Sequence, residues 1–354
     1  MQTADVKHAS FRITEHSATY SEAGLAQSRL WPKDTLCITI AANIADTALL
    51  AYEACFPDSV IGFIADSKKA DPRFVKYYFD IIQRELKMVS QGAAQDNLSQ
   101  EKLLSFGIAC PPVEIQRKVA EVLAAYDDLI ATNQRRIALL EQAARLLYRE
   151  WFVHLRFPGH ESVPVRDGVP EGWTRGTLDQ ALFLQRGFDL PNGDRLPGDV
   201  PIYASTGING FHNEAKVSGP GVVTGRSGTL GQVHYVIEDY WPLNTSLWVK
   251  EFRRVPPLVA YFMLSELNLA QFNSGASVPT LDRKTAHQAA VLIPSTSLVE
   301  QFDQVVQPMF VQIHALSLHT AKTSKARDLL LPKLMSGQLD VSQIPLPEAE
   351  EVIT

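Results

Sequence analysis

The chain has 354 residues, a hydrophobic fraction of 45% and a formal net charge of −6, a length that implies two or three domains, each with its own core. No apolar run approaches the 18 or so residues of a membrane span, and MQTADVKHASFRITEHS lacks the basic and apolar regions of a signal peptide. The acidic balance argues mildly against nucleic acid as a partner, although a local basic face can coexist with acidic flanks such as the C-terminal PEAEEVIT.

Residues 1–110 read as a first globular module. DTLCITIAANIADTALLAYEACF has strand-like apolar runs broken by Asn and Asp. DPRFVKYYFDIIQRELKMV reads as a helix started by Asp71 and Pro72, with Phe74, Tyr77, Tyr78, Ile81 and Ile82 as its apolar face. QGAAQDNLSQEKLLSFGIACPP reads as a loop, a short helix and a strand that stops at the prolines. Cys37, Cys55 and Cys110 are odd in number and widely spaced, which predicts a reducing, cytoplasmic setting without a disulfide framework.

Residues 111–156 predict one long amphipathic helix. Its apolar stripe is Ile115, Val119, Val122, Tyr126, Ile130, Ile137, Leu140, Ala144, Leu147 and Trp151. Residues 157–295 form a second module. FPGHESVPVRDGVPEGW leads in as a linker. Short strands separated by glycine turns follow in FLQRGFD, VPIYASTGINGFHN, GPGVVTGRSGTLGQVHYV and TSLWVKEF. VPPLVAYFMLSELNL is a helix, and NSGASVPTLDRKTAHQAAVLIP a loop, a helical turn and a strand. Residues 296–336 predict a second long helix, and 337–354 a tail.

The chain repeats itself. The offset of 183 that takes Ile115 to Leu298 also takes the first stripe to Phe302, Val305, Met309, Ile313, Thr320, Thr323, Arg327, Leu330 and Leu334. Each helix of about 40 residues is roughly 60 Å long and must bury its stripe. The economical partner is the other copy, in an antiparallel left-handed coiled coil, with Asn133 placed in the stripe to fix register or simply bonded locally. The fold class is therefore α+β: two globular α/β modules separated by two long antiparallel coiled-coil helices, with a pseudo-twofold internal repeat. The copies are unequal. Only 33 residues precede Asp34, against about 50 between Pro170 and Gly219. The first module thus lacks the second's opening strands, which would expose a sheet edge; either the sequence is truncated, or this copy is naturally degenerate, or something else covers that edge.

No motif announces catalysis. Thr224-Gly-Arg-Ser-Gly-Thr-Leu-Gly231 lacks the ending of a Walker A loop and the spacing of a dinucleotide fingerprint. It is a tight turn, with or without Arg226, Ser227 and Thr229 presented to a ligand. Neither His154 with His160 nor His314 with His319 has a Cys or acidic partner at ligand spacing, so no metal is expected. Ser274 to Ser277 lack an associated base. The polar loops carry base-reading residue types: Gln185, Arg186, Ser205, Thr206, Asn209, His212 and Asn213, which are also ordinary loop residues.

The combined pattern resembles the specificity (S) subunit of type I restriction–modification enzymes. VPEGW at 169–173, VPIYASTGINGFHN, GVVTGRSGTLGQV, the helix PPVEIQRKVAEVLAAYDDLIATNQRRIALLEQAARLLYREWF with its Gln116, and LLPKLMSGQLDV carry the likeness, which runs from Asp34 onward. The resemblance implies that each module is a target recognition domain reading one half of a split double-stranded DNA sequence, and that the helices fix the unread spacer. It implies no catalysis and no cofactor or metal of the chain's own. Two methyltransferase subunits would supply S-adenosylmethionine and flip the adenine; restriction subunits, bound through them, would supply ATP and Mg chemistry. DNA-binding candidates are Arg186, Ser205, Thr206, Asn209, His212, Arg226, Ser227 and Thr229, with Thr39, Asn43 and Gln95 in the first module. Helix packing falls to Ile115, Val119, Val122, Tyr126, Ile130, Ile137, Leu140, Leu147, Trp151, Phe302, Met309, Ile313, Leu330 and Leu334. Arg135, Arg136, Arg145 and Arg149 are candidates for methyltransferase contact or plain solvated charges. With the first module shortened, a scaffold that does not read, or a half-subunit working as a homodimer, are the alternatives, and an enzyme built on the 224–231 loop is the third.

Overall fold

The computed structural model describes residues 1–9, 11–41, 43–91 and 98–344. Two compact units divide the chain: Met1–Gln134 with Ser317–Thr354, and Arg135–Leu316. The two long helices, Val113–Tyr148 and Thr296–Met335, each contribute to both. No helix among the described residues is long and apolar enough to cross a membrane.

The first unit opens with α1 (Thr3–His8), β1 (Arg12–Ile13) and α2 (Glu22–Ala26). β2 (Leu36–Thr39), β3 (Thr47–Leu50) and β4 (Val60–Phe63) follow, and the sheet order is β1-β3-β2-β4. β2 and β3 are buried along their whole length, because both faces of the sheet are covered. Alternation sends Leu36 and Ile38 toward α3 (Pro72–Gln91), where they meet Val75, Phe79, Ile82 and Leu86. Cys37 points to the other face and packs with Met1, Val6, Ile13, Ala48 and Leu50. Met1 and α1 thus complete a core, and β1 lies parallel to β3, pairing Arg12 with Leu49 and Ile13 with Leu50. The residues ahead of Asp34 cover the β3 edge through β1, whereas β4, the counterpart of the strand that β8 covers in the second unit, remains an edge of the sheet.

α3 buries two faces, because Phe74 and Tyr77 turn away from the sheet toward the long helices, whereas Ile81, expected on its apolar face, is exposed. Asp71 starts it by accepting from the Arg73 amide at 2.9 Å. α4 (Gln100–Ser105) follows, but the expected strand before the prolines does not form. Its counterpart in the second unit pairs with an opening strand for which the first unit has no equivalent among its described residues. A strand without a ladder partner has unmet backbone groups and does not persist.

α5 (Val113–Tyr148) enters this unit through Gln116, which is fully buried. Its side-chain oxygen accepts from the Asp71 amide at 3.1 Å, while its amide donates to the carbonyls of Lys69 at 3.0 Å and Pro111 at 2.8 Å. Val119, Val122 and Leu123 then pack with Leu334 and Met335, flanked by the half-buried Tyr126, Leu330 and Leu331. Ile130 is buried too, but Ile115 is 40% exposed, so it does not belong to the packing stripe. At that turn the other helix has ended, and the Gln116 bonds rather than apolar contact hold α5 down. Polar cross-links fix the register: Asp127 with Arg327, and Asn133 with His319 Nδ1 at 3.1 Å. Rising numbers on one helix meet falling numbers on the other, so the pair is antiparallel. Asn133 is 2% exposed and bonded across the pair, the registry role rather than a local one.

The second unit holds the rest of α5, which ends in a π-helical turn at Arg149–Val153. The wider turn lets Tyr148, Trp151 and Phe152 all pack inward. They surround Phe302 at centroid distances of 5.0–5.9 Å. The segment expected to be a linker is folded: β5 (Val165–Arg166) and β6 (Val169–Pro170) form a hairpin, and Phe157 stacks on Trp173 at 5.6 Å. β7 (Thr174–Thr177), α6 (Leu178–Ala181), β8 (Leu182–Arg186), β9 (Val200–Ala204), β10 (Gly207–His212), β11 (Gly221–Gly225), β12 (Val233–Val236), β13 (Trp241–Pro242) and β14 (Ser246–Phe252) follow. The chain continues with α7 (Pro257–Glu266), α8 (Arg283–His287), β15 (Ala290–Ile293) and α9 (Thr296–Met335).

The larger sheet is ordered β12-β11-β14-β8, beside a smaller β10-β9-β13 sheet and the pair β15-β7. β11, β12 and β14 correspond to β2, β3 and β4. Module two adds β8 on the β14 edge, whereas module one adds β1 on the β3 edge. Leu258, Val259, Ala260, Phe262, Met263 and Leu264 of α7 are all buried, as expected of a helix apolar all round. On α9, Leu298, Phe302, Val306 and Phe310 face this core. Val305, which the repeat offset nominated, is 46% exposed. Leu147, Met309 and Ile313 pack half-buried against it, and Ile137 and Leu140 are half-buried.

Candidate nucleic-acid interface

The second unit gathers its candidate residues where β8, β11 and β14 meet their loops. β8 ends at Arg186. Gly187 lets the chain turn tightly over Pro242 and Leu243, whose backbone atoms stand where any Cβ would go. The Arg186 guanidinium then reaches Asp189 at 3.1 Å. Asp189 also accepts from the Asn244 side-chain amide, and the Asn244 carbonyl accepts from Arg226 at 3.0 Å. Two arginines from separate loops are thus braced by one polar network, with Arg186 exposed and Arg226 half-buried.

The glycine loop after β11 is buttressed by the 274–281 loop. Leu281 donates its amide to the Arg226 carbonyl at 2.8 Å, and Gly228 donates to Pro279 at 2.9 Å. Asn273 folds that second loop by accepting from Gly275 and Thr280. The amides of Arg226 and Ser227 both go to the Thr245 carbonyl, at 2.9 and 3.0 Å. A phosphate cradle needs such amides free and convergent; here they close the turn. The loop presents the side chains of Arg226, Ser227 and Thr229, all half-buried.

The β9–β10 hairpin carries the others. Thr206 is exposed at its tip, beside the buried Ser205. Arg195 donates to the Asn209 carbonyl at 2.8 Å and, from both terminal nitrogens, to the Asn209 side-chain oxygen at 3.2 Å. With that oxygen engaged, Asn209 offers its amide as a donor rather than the two-pronged pair used on adenine. His212 is buried, and its Nδ1 accepts from the Leu196 amide at 3.0 Å, so it positions the hairpin instead of meeting a base.

In the first unit Thr39 is fully buried, and its hydroxyl bonds the backbone of Asn43 and Asp46 within its own loop. It shapes the turn and presents nothing to a base edge. Asn43 is half-buried. Gln95 lies outside the described residues. Asp46 holds the loop to α3 by accepting from Gln83 at 2.8 Å and Lys87 at 3.2 Å.

Residues 3–142 match the family model described as the type I restriction modification DNA specificity domain. The type I restriction enzyme MjaIX specificity subunit of Methanocaldococcus jannaschii is 23% identical over 348 residues, spanning 89% of this chain and 80% of that protein. The type I restriction–modification system S subunit from M. genitalium shares the fold, with a TM-score of 0.62 at 16% identity over 86% of this chain and 84% of that one. The chain thus carries a match to the type I restriction modification DNA specificity domain over residues 3–142 and is similar along most of its length to a type I specificity subunit.

Specificity subunits are the non-catalytic members of their complexes. The matched segment starts at residue 3, so residues 3–33 lie within the matched domain, although the sequence motifs became legible only from Asp34. Sequence reasoning missed Arg195, Asp189 and Asn244, which brace the candidate loops. It also missed His287, which lies behind β8 with Nε2 accepting from the Leu184 amide at 3.0 Å. Burial holds the His287 pKa below the ordinary 6.5, and burial does the same at His234, beneath the hairpin turn. Among the helix arginines, Arg149 faces Glu266 at 3.7 Å.

Proposed function

We propose that this chain is a type I specificity subunit that reads a split DNA target, one half per module, with the helices that run from one unit into the other measuring the unread gap. Two methyltransferase subunits bind it, and restriction subunits join through them. S-adenosylmethionine, ATP and Mg belong to those partners, and the complex works in the cytoplasm. The observation that carries this reading is the braced loop cluster of the second unit. Arg186 and Arg226 project from strand ends, pre-ordered by Asp189 and Asn244, so little side-chain entropy remains to be lost on DNA.

Arg226 tests it. Arg226→Ala, assayed as the complex with its methyltransferase, should weaken binding to the target by about 10- to 100-fold while changing non-specific binding much less. Equal losses on both DNAs would make Arg226 a phosphate contact and remove it from the reading set. A second arrangement, a homodimer working through one module per chain, draws on the buried Thr39 in the first unit. It would give a palindromic target.

A further inference from the structure

We propose that the β9–β10 hairpin reads thymine through Ile208 and Phe211, by apolar contact with the 5-methyl group in the major groove. The proposal rests on the DNA-reading function above and assigns a chemistry to one part of that site.

Ile208 and Phe211 are each 54% exposed, on a strand whose neighbouring β9 residues are buried. They are three apart, and a regular strand would point them to opposite faces. The register prevents that. Ile208 pairs with Tyr203 and Phe211 with Pro201, so Asn209 and Gly210 together oppose Ile202 alone. This bulge adds one residue and turns both apolar side chains to the same face. Gly210 makes the bulge possible, because its φ is +119°, a conformation that L side chains rarely adopt. Arg195 clamps Asn209, and His212 ties the far end to Leu196. The hairpin is therefore held open with its two hydrophobes outward, on β10, an edge of the β10-β9-β13 sheet.

Two features favour DNA over a protein partner. Ile208 and Phe211 are separated by the exposed Asn209 and by Gly210 and preceded at the tip by the exposed Thr206, a mixed stripe rather than a continuous apolar patch of the size that protein docking uses. A two-stranded ribbon also matches the width of the major groove, where thymine alone shows a methyl group. Asn209, with only its amide free, adds a donor suited to the neighbouring O4 or N7 acceptors. The first unit has no counterpart of this hairpin among its described residues, so the methyl reading belongs to one half of the target.

The test uses the full chain with its methyltransferase. The wild-type complex first selects its target from random-sequence DNA. The selected thymines of each half-site are then replaced by deoxyuridine, which removes only the methyl. The proposal expects adenine methylation at limiting enzyme to fall about fourfold per contacted methyl, in one half-site only. The Ile208→Ser, Phe211→Ser double variant should then methylate thymine and deoxyuridine DNA equally. A wild-type complex that keeps its target but ignores the substitution in both halves overturns the proposal and leaves DNA reading intact. So does a double variant that still distinguishes the two DNAs. Loss of methyltransferase co-purification by the variant would make the hairpin a protein contact instead. A wild type with no sequence preference overturns the proposal together with the reading beneath it.

Discussion

At the residue scale, exposure and bonding sort side chains that look alike as letters. Thr39, His212 and Asn209 all carry base-reading chemistry. Burial removes the first two, and the Arg195 clamp halves what the third offers. Val305 and Val306 are adjacent and chemically identical, yet only Val306 faces the core, because a small phase drift along α9 decides which one points in. Such drift leaves no trace in a repeat offset. His287 makes a prediction that belongs here. Its folded pKa is lowered by burial, so the fold favours the neutral ring, whereas the unfolded chain takes up a proton near 6.5. The stability it contributes is fully present above that value and is lost as pH falls through the lowered one. His234 acts in the same direction. The melting temperature should therefore drop between pH 7.5 and 5.5, and His287→Gln, which keeps an acceptor for Leu184, should make the drop shallower. An unchanged slope would show that His287 does not carry this dependence.

At the element scale, the strands, α3, α7 and both long helices were legible because period 2 and period 3.6 apolar patterns are local. The absent strand before Pro111 was not, because a strand depends on its neighbour. FGIAC and AAVLI look equally β-forming, but only AAVLI has β7 beside it. The same non-locality hid β1, two residues long and paired with β3. Gln116, in contrast, was visible as part of the helix that carries the resemblance, and the structure gives it a role. It satisfies one buried amide and two carbonyls where α5 meets the first module. Gln116→Leu should cost about 3 kcal/mol, at about 1 kcal/mol per bond, read as a lower urea midpoint. A change under about 0.5 kcal/mol would mean that water replaces the side chain.

At the scale of the whole molecule, the repeat is a shared β-β-β-α plan with different additions: β1 on one sheet edge in the first module, β8 and the β9–β10 hairpin in the second. Similar long helices therefore accompany two unequal modules. Which half-site each prefers is not written in residue types, since loop conformation decides which side chains reach a base. The direct measurement is to purify the chain with its methyltransferase and map methylated adenines on random-sequence DNA. Two different half-sites separated by a fixed unread gap are the expected result. A palindrome, a single half-site or methylation without sequence preference would contradict it.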